Sequence, residues 1–248
     1  MTPRHTRQIM LPEIGGPGQA RLREATVTLV GAGGLGGPAA MYLASAGVGK
    51  LRLIDFDRVE DSNLQRQVQF TESDIGADKV SALAERLQAM DGNLLIDAVE
   101  ERLDAASARD LLDASQVVLD GSDSFETRLA VNRACRDVGV PLVSGAIARW
   151  SAQVGVFGGQ PCYQCFVAEA PPEPETCEAV GIVGAVAGIA GSLMALEAVK
   201  LITGAGESLR GKLWLMDGLV GRARTVSISA DPACPVCGPN RGQGNPLA

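Results

Sequence analysis

The sequence predicts an α/β fold, in which a mainly parallel sheet is continued by antiparallel strands and accompanied by a structural metal site. Three observations predict it. Short β-branched runs alternate with helical stretches over residues 25–150, the pattern that builds a parallel sheet. A glycine-rich turn separates the first of those runs from the first helix. Two Cys-x-x-Cys pairs stand in the less regular second half. The 248 residues suffice for one large domain with a sizeable core. Twenty-two basic against 29 acidic side chains give a net charge of −7, and 46% hydrophobic residues rule out wholesale disorder. A pI near 4.9 excludes an ordinary nucleic-acid binder, which carries a basic excess.

Taken in order, residues 1–24 hold Arg4, Arg7 and Arg23 around a Gly/Pro stretch from Gly15 to Gly18, read as a flexible arm. Thr26–Val30 is a buried strand stopped by glycines, and Pro38–Ala46 the helix after it. Lys50–Ile54 is the second strand. Ala77–Met90 is a helix with Val80, Leu83, Ala84, Leu87 and Met90 on one face. Leu94–Val99, Gln116–Leu119 and Pro141–Ser144 are further strands, with a helix over Arg128–Val138 that takes Cys135 into the core. Beyond Trp150 the pattern changes. Gln153–Phe157 is a strand, residues 158–176 are Pro/Cys-rich and irregular, and an apolar helix runs from about Ile182 to Ile202. The eighteen uncharged residues from Ala179 to Leu196 include five alanines and four glycines and end at charged Glu197, which points to a buried helix rather than a membrane span. Lys212–Met216 and Thr225–Ser229 are late strands, the second alternating in antiparallel style. The tail after Gly238 is expected to fray. The opening residues lack the apolar core of a signal peptide, so the expected location is the cytoplasm.

The glycine turn is Gly31-Ala-Gly33-Gly34-Leu-Gly36-Gly37. After a strand and before a helix, such a turn lets backbone approach phosphate, and the helix N-terminus supplies N–H groups and a positive dipole end. The sheet is accordingly Rossmann-like. Asp55, closing the second strand, is placed to accept ribose hydroxyls. This much fits NAD as well as ATP. The next loop, Asp61-Ser62-Asn63-Leu64-Gln65-Arg66-Gln67, and then Lys79 bring two cations and an amide to the same sheet edge, which suits a triphosphate. Asp120 and Asp123 follow the strand Gln116–Leu119. Asp123 is the better candidate for Mg²⁺, which takes one or two carboxylates plus phosphate oxygens, and Asp120 the better brace for the loop.

Cys162-x-x-Cys165 and Cys234-x-x-Cys237 offer four thiolates, the closed tetrahedral set of structural zinc. A redox pair is the rival, but it rarely occurs twice. Cys177 precedes a helix in a Pro/Glu-rich loop, where a thiol is exposed and acidified, or is incidental. His5 is the single histidine, which makes a Ser-His-Asp triad improbable.

GAGGLGG, LIDFDRVEDSNLQRQ, Lys79, the Ser-Asp step at Asp123, CYQC and CPVC together resemble the ubiquitin-activating-like adenylyltransferases of the MoeB/ThiF/HesA group, in the family's order, from Arg4 to Gly238. The resemblance implies a homodimer that uses Mg-ATP to adenylate the C-terminal glycine of a small ubiquitin-like sulfur carrier. It implies a nucleotide site of Gly31, Gly33, Gly34, Gly36, Asp55, Ser62, Asn63, Leu64, Gln65, Arg66, Lys79, Asp123 and Ser124, the last replacing the family's usual Asn. Arg7 would reach into the partner's site, and Cys177 matches a cysteine that links covalently to the carrier in some members. Residues 1–24 would be the arm, 25–150 the nucleotide half, 151–238 the carrier and zinc half, and 239–248 a flexible tail. No sulfurtransferase-like segment follows Gly238, so a separate sulfurtransferase is expected. The carrier expected from the resemblance is the molybdopterin-synthase small subunit, with the thiazole-pathway sulfur carrier as the alternative. An NAD-dependent oxidoreductase or a zinc-stapled binding module are the competing classes.

Overall fold

A computed structural model describes residues 3–168 and 181–239. Eight strands form one mixed sheet in the order β3-β2-β1-β4-β5-β6-β7-β8. The first five in that order, β3 (Leu95–Val99), β2 (Lys50–Ile54), β1 (Thr26–Val30), β4 (Val117–Asp120) and β5 (Leu142–Ala148), are mutually parallel. β6 (Ser151–Phe157), β7 (Lys212–Asp217) and β8 (Arg222–Ser227) continue the sheet antiparallel. The expected class therefore holds. Its strand order reverses between β1 and β4, the point outside whose carboxyl ends ligands bind in sheets of this kind.

Helices cover both faces. On one, α3 (Gly36–Ala46), α4 (Lys79–Met90) and the long helix Gly184–Thr203, here α8, bury Leu43, Leu83, Leu87, Ala190 and Met194 against Val27, Leu51 and Val154. On the other, α5 (Ala108–Leu112), α6 (Phe125–Val138) and the short α7 (Tyr163–Phe166) pack Leu112, Val131 and Tyr163 onto Val30, Val118 and Phe157, with Cys135 buried as expected. Among the described residues α8 is the one helix long and apolar enough to cross a membrane. It is instead a core helix, packed on α3, β5 and β6. Its buried Glu197 is satisfied by the Leu209 N–H at 2.8 Å and by Lys200.

The N-terminal segment corrects the sequence reading. Thr6–Ile9 (α1) and Gly15–Glu24 (α2) are helices, and the supposed flexible loop is the first turn of α2. Pro17 is tolerated there because first-turn N–H groups have no intrahelical partner. The segment is pinned: Arg4 pairs with Asp91 at 2.9 Å, and Gln8 donates to Gln19 and to the Ala46 carbonyl. Several boundaries also move, the largest shifts being that α6 begins at Phe125, β5 extends to Ala148, and β8 starts at Arg222. The C-terminal tail reading falls largely on residues 240–248, outside the described residues.

A candidate nucleotide site at the switch point of the sheet

The glycine turn leaves β1 through Gly31, whose φ of +90° is open to glycine, and Gly31 N–H donates to Ile54 O at 2.8 Å. A Cβ at Gly36 would overlap the Gly31 carbonyl oxygen, so the third glycine of the fingerprint lets α3 close onto the turn. A Cβ at Gly33 would meet nothing nearer than 3.4 Å. That part of the turn is left open on the cleft side, as close approach of a phosphate requires.

Asp55 braces this turn. Its Oδ2 accepts from Ala32 N–H at 2.7 Å and its Oδ1 from Asp57 N–H at 2.9 Å. Burial pushes its carboxyl above the ordinary value, against the opposing pull of those N–H groups and of Lys79. Lys79, at the start of α4, is buried and pairs with Asp57 at 2.9 Å. Arg66 Nη1 donates to Ser62 O at 2.9 Å within its own loop, and a Cβ at Gly34 would meet the Arg66 carbonyl oxygen at 3.2 Å, so this loop lies against the glycine turn. Asn63 is buried in that loop, and its Oδ1 has no hydrogen-bond partner among the described residues.

Asp120 ends β4 fully buried. Its Oδ1 accepts from Ser122 N–H and Oγ–H at 3.0 and 2.6 Å, so it braces the loop. Burial raises its carboxyl, while Arg128 and Ser122 pull it down. Asp123 is exposed, and Ser124 is the N-cap of α6, accepting from Thr127 N–H at 3.4 Å.

One cleft of about 1500 Å³ is lined by Gly31, Gly33, Gly34, Asp55, Asn63, Arg66, Lys79, Asp123 and Ser124. Gly36, Ser62, Leu64 and Gln65, also expected at the site, do not line it. Arg7 is exposed on α1 and is also outside its lining, and Cys177 lies outside the described residues. The single histidine, His5, is away from the cleft and packs against Gly47. Seven basic and six acidic residues line the cleft, a slight positive excess in a chain of net charge −7.

Several residues of the site escaped the sequence reading. Gln69 Nε2 donates to Ala32 O and Gly33 O at 2.8 and 3.1 Å, clamping the turn. Buried Arg128 donates to Ser122 O and, at 2.9 Å, to Gly145 O. Beside Asp55, the Arg102 guanidinium stacks 3.8 Å over the Phe56 ring, a flat surface of the kind on which bases stack. Helical periodicity marks Arg128 only as a helix residue, Phe56 falls inside the quoted segment LIDFDRVEDSNLQRQ without a role of its own, and Gln69 and Arg102 sit in loops without a motif.

The paired cysteines converge. The four Sγ atoms of Cys162, Cys165, Cys234 and Cys237 lie within 4.8 Å of one another. Cys162–Cys234 and Cys165–Cys237 are 3.6 and 3.3 Å apart. Zn–S bonds of 2.3 Å in a tetrahedron set sulfurs about 3.8 Å apart, so the set fits zinc. Asp231 N–H points at Cys165 Sγ from 3.4 Å, and Asn132 Nδ2 at Cys162 Sγ from 3.7 Å, the outer contacts a thiolate site needs.

Comparison with known proteins bears on the whole chain. The ThiF family model matches residues 5–236. The sulfur carrier protein adenylyltransferase of Thermus thermophilus is 42% identical over 244 residues, 95% of this chain and 90% of that protein. The SAMP-activating enzyme E1 of Haloferax volcanii is 41% identical over 239 residues, covering 95% and 88%. This chain spans 61% of the probable adenylyltransferase/sulfurtransferase MoeZ of Mycobacterium tuberculosis, at 39% identity. Among solved structures, E. coli MccB with MccA-N7isoASN superposes with a TM-score of 0.85 over 96% of this chain and 76% of that one; at 24% identity the likeness is one of fold. The chain belongs to the ThiF family and is an adenylyltransferase.

Proposed function

We propose that this protein uses Mg-ATP to adenylate the C-terminal glycine of a small ubiquitin-like sulfur carrier, with the molybdopterin-synthase small subunit as the favoured carrier and the thiazole-pathway carrier as its rival. One observation carries the reading: the glycine turn, Asp55, Arg66, Lys79 and Asp123 share a cleft that continues over the antiparallel strands. Its 1500 Å³ exceeds the 300–1,000 Å³ of usual small-ligand pockets, leaving room for a second substrate beside a nucleotide. The named activities of the Thermus and Haloferax relatives support the same reading.

A C-terminal carboxylate, with a pKa of roughly 3.3–3.7, is ionised at neutral pH and attacks the α-phosphorus without a general base. The new bond is carboxyl O–P; the bond broken joins the α-phosphorus to the bridging oxygen, and pyrophosphate leaves with that electron pair. The enzyme's part is position and charge. Asp55 would accept the ribose hydroxyls, Arg66 and Lys79 would meet the phosphate charge, and the base would lie on the Phe56–Arg102 pair. Asp123 would hold Mg²⁺, whose contribution is to offset phosphate charge. Zinc on the four cysteines would be structural, and a separate sulfurtransferase would supply the sulfur. Carrier-dependent ATP–pyrophosphate exchange tests the reading with each carrier in turn. Exchange is expected with one of them, and Arg66→Ala should lower its rate by about two to three powers of ten, the scale of losing one preorganised donor. No exchange with either carrier would overturn it.

A further inference from the structure

The cleft does not end where a nucleotide would. It runs from the ends of β1 and β4 across one face of β5, β6, β7 and β8, and register fixes what that floor presents. Ala148 pairs with Ser151, Ser151 with Asp217, and Asp217 with Arg222. Two residues down each strand, hence on the same face, Ala146 pairs with Gln153, Gln153 with Leu215, and Leu215 with Arg224. All eight residues line the cleft. The floor is therefore narrow-residued near the phosphate end and finishes in two arginines on β8, the last strand of the sheet.

Beyond their backbone pairing with β7, the side chains of these arginines are not tied to the rest of the described residues. Neither makes an ion pair or side-chain hydrogen bond among the described residues. Asp217, opposite Arg222, has its Oδ1 engaged by Leu219 N–H and Val220 N–H at 3.0 and 3.4 Å. From β4 to β8 is four strand spacings, about 19 Å at about 4.8 Å each, which an extended chain covers in about six residues.

We infer that Arg222 and Arg224 read an acidic side chain about six residues before the C-terminal carboxylate of the carrier, and so act as specificity-determining residues for its tail. The inference rests on the adenylation reading above. The small side chains of Ala146, Ala148 and Ser151 leave the tail backbone room to lie flat, and the arginines meet its one required charge at the far rim. The plain alternative is that they guard an open sheet edge against pairing with other chains.

Octapeptides ending in Gly-Gly, carrying Glu, Gln or Lys at each of the fourth to seventh positions from the end, separate the two readings in peptide-dependent ATP–pyrophosphate exchange. The wild-type enzyme is expected to favour Glu over Gln near the sixth position by about fivefold, the scale of an exposed ion pair, through KM rather than kcat. Arg222→Gln/Arg224→Gln should flatten that preference, and Arg222→Glu/Arg224→Glu should turn it towards Lys. Equal use of Glu, Gln and Lys by the wild type overturns the inference. So does an unchanged order in the charge-reversed variant, or a shift in its sedimentation with selectivity unmoved, which marks the face as an edge guard or a self-association surface. Exchange with an intact carrier but with no peptide overturns this inference alone; exchange with neither overturns the adenylation reading itself.

Discussion

Asp120 and Asp123 stand three residues apart, yet the fold gives them opposite work. Asp120 is fully buried, its Oδ1 holding Ser122 and its charge facing buried Arg128. Asp123 is exposed in the cleft. Replacing Asp120 by Ala unbraces the loop and leaves Arg128 without its counter-charge. Thermal denaturation should show a loss of about 1–3 kcal/mol. Asp123→Ala should stay within about 0.5 kcal/mol of the parent, as exposed substitutions do, while carrier-dependent exchange falls to background. Equal loss of stability in both variants would contradict this division. The sequence reading already separated these two, because a carboxylate at a strand end has one residue's reach into the crevice and the next acidic residue has more. Gln69 was not legible: its side chain serves a carbonyl 37 residues earlier, a relation no local pattern records.

Among elements, the cysteine cluster ties α7 to the C-terminal turn Cys234–Gly238, whose own backbone closes through Gly238 N–H to Cys234 O at 2.9 Å. Because thiolate binding of metal is coupled to folding, one zinc per chain is expected by elemental analysis of reduced protein. Chelation, or Cys234→Ser, should lower the melting temperature before affecting nucleotide binding, since no ligand cysteine lines the cleft. Protein free of zinc and equally stable would refute the staple. Most elements were legible because β-branched runs and glycine stops repeat at the strand–helix period. α2 was not. Gly15, Gly16, Pro17 and Gly18 carry loop chemistry, and only burial of Gln19 and Leu22 against the rest of the fold makes them a helix start. β8 was placed late because Arg222 and Arg224 read as loop residues until their pairing with β7 is seen.

On the scale of the whole molecule, Arg7 remains the residue whose expected role needs a second copy. It is fixed on α1 rather than carried by a mobile arm, exposed, and away from its own cleft. An arginine supplied in trans can stabilise developing phosphate charge, and a two-fold dimer would let each subunit complete the other's site. Mixing Arg7→Ala and Lys79→Ala subunits should then restore activity in heterodimers, where one of the two sites holds both groups. Mixtures as inactive as their parents, despite proven subunit exchange, would exclude the trans role.

The seating of α8 has a consequence for how mutational scans of this protein are read. A Cβ at Gly184 would overlap the Gln65 carbonyl oxygen, and one at Gly191 would stand 2.5 Å from the carbonyl oxygen of Leu35, in the glycine turn itself. A single methyl at either position presses on a nucleotide loop from outside the cleft, since neither glycine lines it. In a survey scored by nucleotide affinity, both would register as ligand contacts. Their defect belongs to the scaffold, and a compensating change that makes room behind the loop would reverse it without touching a residue of the site.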